Sequence, residues 1–236
     1  MADETHRRAW RLDRYDQLRA ERPQLFVNPP GAAYEIVFDR AAQLACADEW
    51  AARSRERGIP AEFADMGVIY EDKYFIALRD TVRFRDGSIG PYFRLLGAVD
   101  GPGAAMLPML TDGRLVLVRR FRHEARDWQW EVPRGFSEPG ETGPVTATRE
   151  LAEELGVTAE APELLGRLGE DEIYLVRIDA ASLPERMTDD AVAEGVDEIR
   201  VVTPDELADL IVEGHVTDEF LLAAYAMVQA RRPRNP

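Results

Sequence analysis

The chain has 236 residues and a formal net charge of -15, with one lysine (Lys73) and one cysteine (Cys46). That length can bury a full core and suits one ordinary domain plus an additional piece. The acidic balance argues against nonspecific nucleic-acid binding, and the lone cysteine excludes an internal disulfide. The amino-terminal MADETHRRAWRLDRYDQ lacks an apolar signal core and no run reaches membrane-spanning length, so a cytoplasmic protein that leaves membranes alone is expected.

Residues 1–65 are rich in Arg, Ala and acids and read as a helical extension whose role the sequence does not state. FDRAAQLACADEWAARSRERG predicts a helix lined by Phe38, Ala41, Ala42, Ala45 and Ala52 and stopped by Gly58 and Pro60. NPPG at 28–31 predicts a turn or linker, and Trp10 and Trp50 read as packing residues. Residues 66–100 change texture: aromatic, β-branched and charged residues alternate, and Asp86-Gly87 marks a hairpin, which predicts a small antiparallel sheet.

From residue 101 to 230 a larger domain is expected. GAAMLPML, the turn TDG and RLVLVRRF form a hairpin that leads through WQWEVPRGF into a loop and helix. Thr142 suits the N-cap, Pro144 the first turn and Gly156 the end, with Val145, Leu151, Ala152 and Leu155 as the apolar stripe. EIYLVRID and DEIRVVTP read as strands. TPDELADLIVEG reads as a helix with a Thr203/Glu206 capping box closed by Gly214, and VTDEFLLAAYAMVQARR as a last helix packed through Phe220, Leu221, Ala224 and Val228. Residues 231–236 read as a frayed tail. This order predicts a mixed α/β sandwich of the α+β type, not a doubly wound parallel sheet.

The chemistry concentrates in Gly135–Val157, which fits G-x5-E-x7-R-E-U-x-E-E-x-G-U at every fixed position, U being a bulky aliphatic. Glu150 and Glu154 stand four apart on one helical face, with Glu153 one step around. Like charges about 4 Å apart repel by roughly 1 kcal/mol in water and about 4 at an effective dielectric of 20, so a partly buried cluster needs a cation. Hard oxygen ligands select magnesium or manganese, ions that act on phosphate oxygens. Such glutamates on a helix are ordinarily a solvated face; Gly135 and Glu141 at fixed distance upstream weigh against that here.

These motifs resemble the Nudix hydrolase box, and over residues 67–230 the chain is most similar to the ADP-ribose pyrophosphatase branch of that family. The resemblance implies a mixed-sheet α/β/α sandwich and magnesium-dependent hydrolysis of a nucleoside diphosphate-linked small molecule, with ADP-ribose leading. It implies metal ligation by Glu150, Glu153, Glu154 and the Arg134 carbonyl, with Arg149 orienting the glutamates and Glu141 bracing the loop. LVLVRRFRH places Arg122 on the pyrophosphate, with Arg120 on the same strand face and Arg119 on the other, and W-x-x-E-x-P-x-G adds Glu131 to the substrate-binding set. Among the downstream acids Glu185, Asp189, Asp190, Glu194 and Asp197, the resemblance favours Glu194 as general base, and it implies a homodimer built through residues 67–100. Two departures stand out: Glu172 where the branch commonly has proline, and Arg134 where it has alanine. Other sugar nucleotides, dinucleotides or nucleoside triphosphates remain alternative substrates, and a noncatalytic nucleotide sensor or an isomerase remain alternative classes.

Overall fold

Tyr15 and Leu18 on one face of α1 (Ala2–Glu21) begin the first of the two units into which the chain divides, Met1–Asp100 and Gly101–Pro236. The computed structural model describes residues 2–159 and 161–231, so the expected frayed tail beyond Arg231 lies outside the described residues. In the first unit, β1 (Glu35–Ile36), β2 (Gly67–Glu71) and β4 (Ile89–Gly97) all pair antiparallel with β3 (Phe75–Arg83). The Asp86-Gly87 turn joins β3 to β4 as expected, with Gly87 at φ 85°. Tyr15 and Leu18 pack on Val68, Ile76 and Leu78, each buried side chain contributing about 1.5–3 kcal/mol.

α2 (Arg40–Glu56) forms where expected, capped by Asp39, but on a different face. Gln43, Cys46, Ala47 and Ala51 are its buried residues, while Ala41, Ala45 and Ala52 are exposed. An alanine-rich helix has almost no hydrophobic asymmetry, so the contacts of Cys46 and Ala47 with Leu12 and Met66 decide its rotation. Trp10, read as a packing residue, is 56 % exposed.

The second unit is built on a seven-stranded mixed sheet. Its order is β11 (Val196–Val202), β6 (Leu115–Arg122), β5 (Ala104–Leu110), β10 (Asp171–Ile178) and β9 (Glu163–Leu168), with β7 (Asp127–Glu131) beside β6 and β8 (Arg134–Gly135) beside β5. β5 and β10 run parallel, which requires the long crossover that carries α3 (Gly143–Leu155). Alternation sends Met106, Val116, Val118, Tyr174 and Val176 to the α3 face. Leu107, Leu115, Leu117, Ile173 and Leu175 meet α5 (Pro204–Val212) and α6 (Glu219–Arg231) on the other face. Helices therefore cover both faces of a mixed sheet, the expected sandwich.

Two elements depart from the sequence reading. β9 was not foreseen, since Gly166 interrupts its apolar run. The acidic loop after β10 contains a short helix, α4 (Asp189–Ala193), capped by the Thr188 side chain. Among the described residues no helix is long and apolar enough to cross a membrane.

Candidate active site and metal centre

The loop between β8 and α3 is held by one arginine. Arg149 donates from Nε and Nη2 to the two carboxylate oxygens of Glu141, both at 3.0 Å, and from Nη1 to Glu150 at 2.7 Å and Glu153 at 3.0 Å. Its Nη2 also reaches the Phe136 carbonyl at 2.8 Å. Glu141 accepts further from the Glu138 amide at 2.9 Å and the Thr146 hydroxyl at 3.0 Å. The Arg149 hydrogen bonds lead these contacts in lowering the Glu141 carboxyl to about 2. Ser137 Oγ lies 2.9 Å from Thr146 Oγ1, a second tie between loop and helix.

α3 begins after Thr142, though that side chain makes no capping bond, and ends at Gly156 in the left-handed conformation at φ 66°. Its buried face is Thr146, Ala147, Glu150, Leu151, Glu154 and Leu155, whereas Val145 and Ala152, expected in the apolar stripe, are exposed. Polar site residues occupy core-facing positions, which displaces the apolar signal. Gly135 explains the first fixed position of the motif: a Cβ there would sit 2.0 Å from the Glu150 carboxylate. Glycine is needed for this close approach of strand to helix.

Glu150 and Glu154 are 6 % and 1 % exposed, and Glu153 stands partly open beside them. Burial is the first cause that raises the carboxyls of both Glu150 and Glu154, the latter to about 7. Glu154 forms an ion pair with Arg120 and accepts the Arg134 amide at 3.3 Å, but its Oε2 is buried with no partner among the described residues. Glu194 follows α4 and places its carboxylate 3.5 Å from the same Arg120 guanidinium. Asp197 and Glu198 instead pair with Arg119, at 2.7 and 3.2 Å. The strand alternation thus divides the arginines as the sequence suggests, Arg120 toward Glu154 and Arg119 away.

Arg122 clasps Glu131, with Nε to Oε1 at 2.6 Å, and Glu131 is 1 % exposed. The same patch holds Arg134, whose guanidinium lies 3.3 Å from buried Asp218, 3.9 Å from Glu131 and 4.4 Å from the Phe220 ring centroid. Asp218 and Phe220 are partners that the sequence reading missed. Asp218 also accepts the Leu221 amide at 2.7 Å, and only that ordinary helix-start role is visible in VTDEF. Glu172, the other departure, is buried beside Tyr174, whose hydroxyl donates to it at 2.5 Å, with Arg167 at 2.6 Å.

Among the described residues no three acidic or histidine side chains are gathered closely enough to hold an ion as they stand. Arg149 and Arg120 engage the box carboxylates instead. The donor set nevertheless fits a hard divalent cation. Two buried carboxylates lie on adjacent turns, one of them has an oxygen without a partner, and a third carboxylate stands at their edge.

Comparison with known proteins agrees with this architecture. A solved structure of an ADP compounds hydrolase superposes with a TM-score of 0.56 over 69 % of this chain and 89 % of its own, at 18 % identity, a likeness of fold. An RNA pyrophosphohydrolase of Caulobacter vibrioides (strain NA1000 / CB15N) is 46 % identical over 66 residues, 28 % of this chain and 37 % of its own. An ADP-ribose pyrophosphatase of Bacillus subtilis (strain 168) is 41 % identical over 63 residues, 26 % and 34 % of the two chains. The match therefore spans little more than a third of these relatives. Residues 100–221 match the model of the NUDIX domain, just over half of the chain and all of the box, and with its glutamates set as described the chain belongs to the Nudix family.

Proposed function

We propose that this chain is a divalent-metal-dependent pyrophosphohydrolase of nucleoside diphosphate derivatives, with ADP-ribose as its leading substrate and AMP and ribose 5-phosphate as products. The observation that carries the reading is the pair Glu150 and Glu154, buried on one face of α3, with an unpartnered carboxylate oxygen. Glu150, Glu153, Glu154 and the Arg134 carbonyl would hold Mg2+, or Mn2+ in its place. When bound, such an ion neutralises charge on the phosphate oxygens and makes water more acidic.

The chain's own residues supply the rest of this reading. Arg149 holds Glu141, Glu150 and Glu153 in one arrangement, so the acidic cluster is organised before substrate arrives. Arg122, oriented by buried Glu131, would grip a pyrophosphate oxygen, and Arg120 would balance Glu154 and Glu194. Glu194, the most exposed carboxylate on the Arg120 side, would take the proton of the attacking water as its oxygen bonds to phosphorus and the anhydride P–O bond breaks. Arg119, paired with Asp197, would contribute least to substrate binding.

The names of the relatives support pyrophosphate chemistry and leave two substrate classes. The RNA pyrophosphohydrolase likeness favours a second reading, a pyrophosphate at an RNA 5′ end, whereas the net charge of -15 favours a small substrate. A hydrolysis panel with Mg2+ decides between them. It compares ADP-ribose, other sugar nucleotides, dinucleotides, nucleoside triphosphates and 5′-triphosphorylated RNA. Release of AMP from ADP-ribose at the highest kcat/KM is expected, and no turnover of any member would remove the enzymatic reading.

A further inference from the structure

A second basic cleft lies within the first unit, apart from the box residues in sequence and chemistry. Trp50, Arg53, Ser54 and Arg57 fall at i, i+3, i+4 and i+7, one face running off the end of α2, and with Ile59, Phe63, Arg79 and Pro91 they line a cavity of about 300 Å³. Arg53 and Arg57 alone would be ordinary cations near a helix C-terminus. Arg79 is different, because it comes from β3 and its charge is not neutralised. Its Nη1 donates to the Asp65 carbonyl at 2.8 Å, while the Asp65 carboxylate is already shared by Arg7, Arg8 and Arg11. Among the described residues no carboxylate stands within ion-pair distance of Arg79 or Arg57. Burial, followed by repulsion from Arg11, lowers the Arg79 pKa, as expected for a cation lacking a full counter-charge.

The apolar wall points the same way. Phe63 is 61 % exposed and Ile59 41 %, which leaves an aromatic ring and an aliphatic side chain open at the cleft for a planar group to meet. The Arg53 guanidinium lies 5.3 Å from the Trp50 ring centroid, and the buried Trp50 indole N–H has no partner among the described residues. Guanidiniums recognise phosphate through paired hydrogen bonds, and aromatic walls recognise planar rings. We propose that the cleft between the end of α2 and β3 is a second ligand site, which takes a nucleoside monophosphate with its phosphate on Arg57 and Arg79 and its base against Trp50 and Phe63. The volume is at the small end for ligand pockets, which suits a mononucleotide better than a dinucleotide.

The test is a titration of the full 15N-labelled chain with AMP, adenosine and inorganic phosphate, following the Trp50 indole resonance identified by its loss in Trp50→Phe. Hydrolysis is not read, so the outcome is independent of the function proposed above. AMP should shift that resonance saturably, with adenosine and phosphate each weaker. Arg79→Gln and Arg57→Ala should each weaken AMP about tenfold, the second altering only an exposed side chain. The proposal is overturned by a Trp50 resonance that stays still, by equal affinity for AMP and either fragment, or by unchanged affinity in Arg57→Ala.

Discussion

At the scale of single residues, the acidic side chains are distinguished by the arginine each one meets. Glu194, Asp197 and Glu198 lie within five positions of one another, yet Glu194 faces Arg120 and the other two face Arg119. The sequence narrowed the choice to an acidic segment; the partners depend on the register of β11 against β6, which has a bulge between Val196 and Glu198 and is not written in local composition. If Glu194 is the general base, Glu194→Gln lowers kcat by roughly 10² to 10⁴ with KM nearly unchanged. A kcat close to wild type, or an unaltered acidic limb of the pH profile, would return the role to another carboxylate. Glu141 gives a separate expectation for stability. Its folded carboxyl titrates near 2, below the ordinary value of 4.5, so its contribution is complete above about pH 4.5 and is lost as pH falls toward about 2. Glu141→Gln should therefore flatten the fall of Tm over that window, and identical acid-melting curves for both proteins would contradict it.

At the scale of elements, α3 was legible from both ends and misread in the middle. Pro144 and Gly156 fix its limits through backbone chemistry, and Thr142 takes the N-cap position without a side-chain cap, whereas its inward face carries Thr146, Glu150 and Glu154, which no hydrophobic pattern reports. α2 failed for the opposite reason, since its alanines are alike on every face. Two glycines separate function from stability at this scale. Gly135→Ala would drive a methyl into the carboxylate end of the Glu150 side chain and force it off its bond to Arg149 without touching the backbone, so activity should fall sharply while Tm changes little. Gly67→Ala would meet the Arg11 backbone oxygen at 2.5 Å with φ at +93°, and should cost more than about 1 kcal/mol of stability. Equal effects of both substitutions on Tm and on turnover would contradict this division.

At the scale of the molecule, the sandwich was readable because alternating strands and capped helices of the second unit agree locally and globally. The first unit was less so. Buried Tyr15 on α1 donates to Asp80 on β3, and Arg94 on β4 donates to the same carboxylate, partners 65 and 14 residues away that no short window contains. For residues 66–100 we propose a role in dimerisation, with residues 1–65 as a helical extension. Tyr70, Phe75, Phe93 and Leu95 on the small sheet are all exposed, an apolar surface that a second copy could cover. Light scattering at micromolar concentration should give twice the chain mass of 26.6 kDa, and Phe93→Asp should give a monomer; a monomeric wild type would reject the role.

Hydrolysis by the box glutamates is tested most directly by Glu154→Gln, with turnover of ADP-ribose in Mg2+ and thermal melting measured on the same samples. The substitution removes one buried carboxylate charge at nearly constant volume, so turnover should fall about a hundredfold or more while a cooperative melting transition persists. Turnover near that of wild type with the fold intact would contradict it.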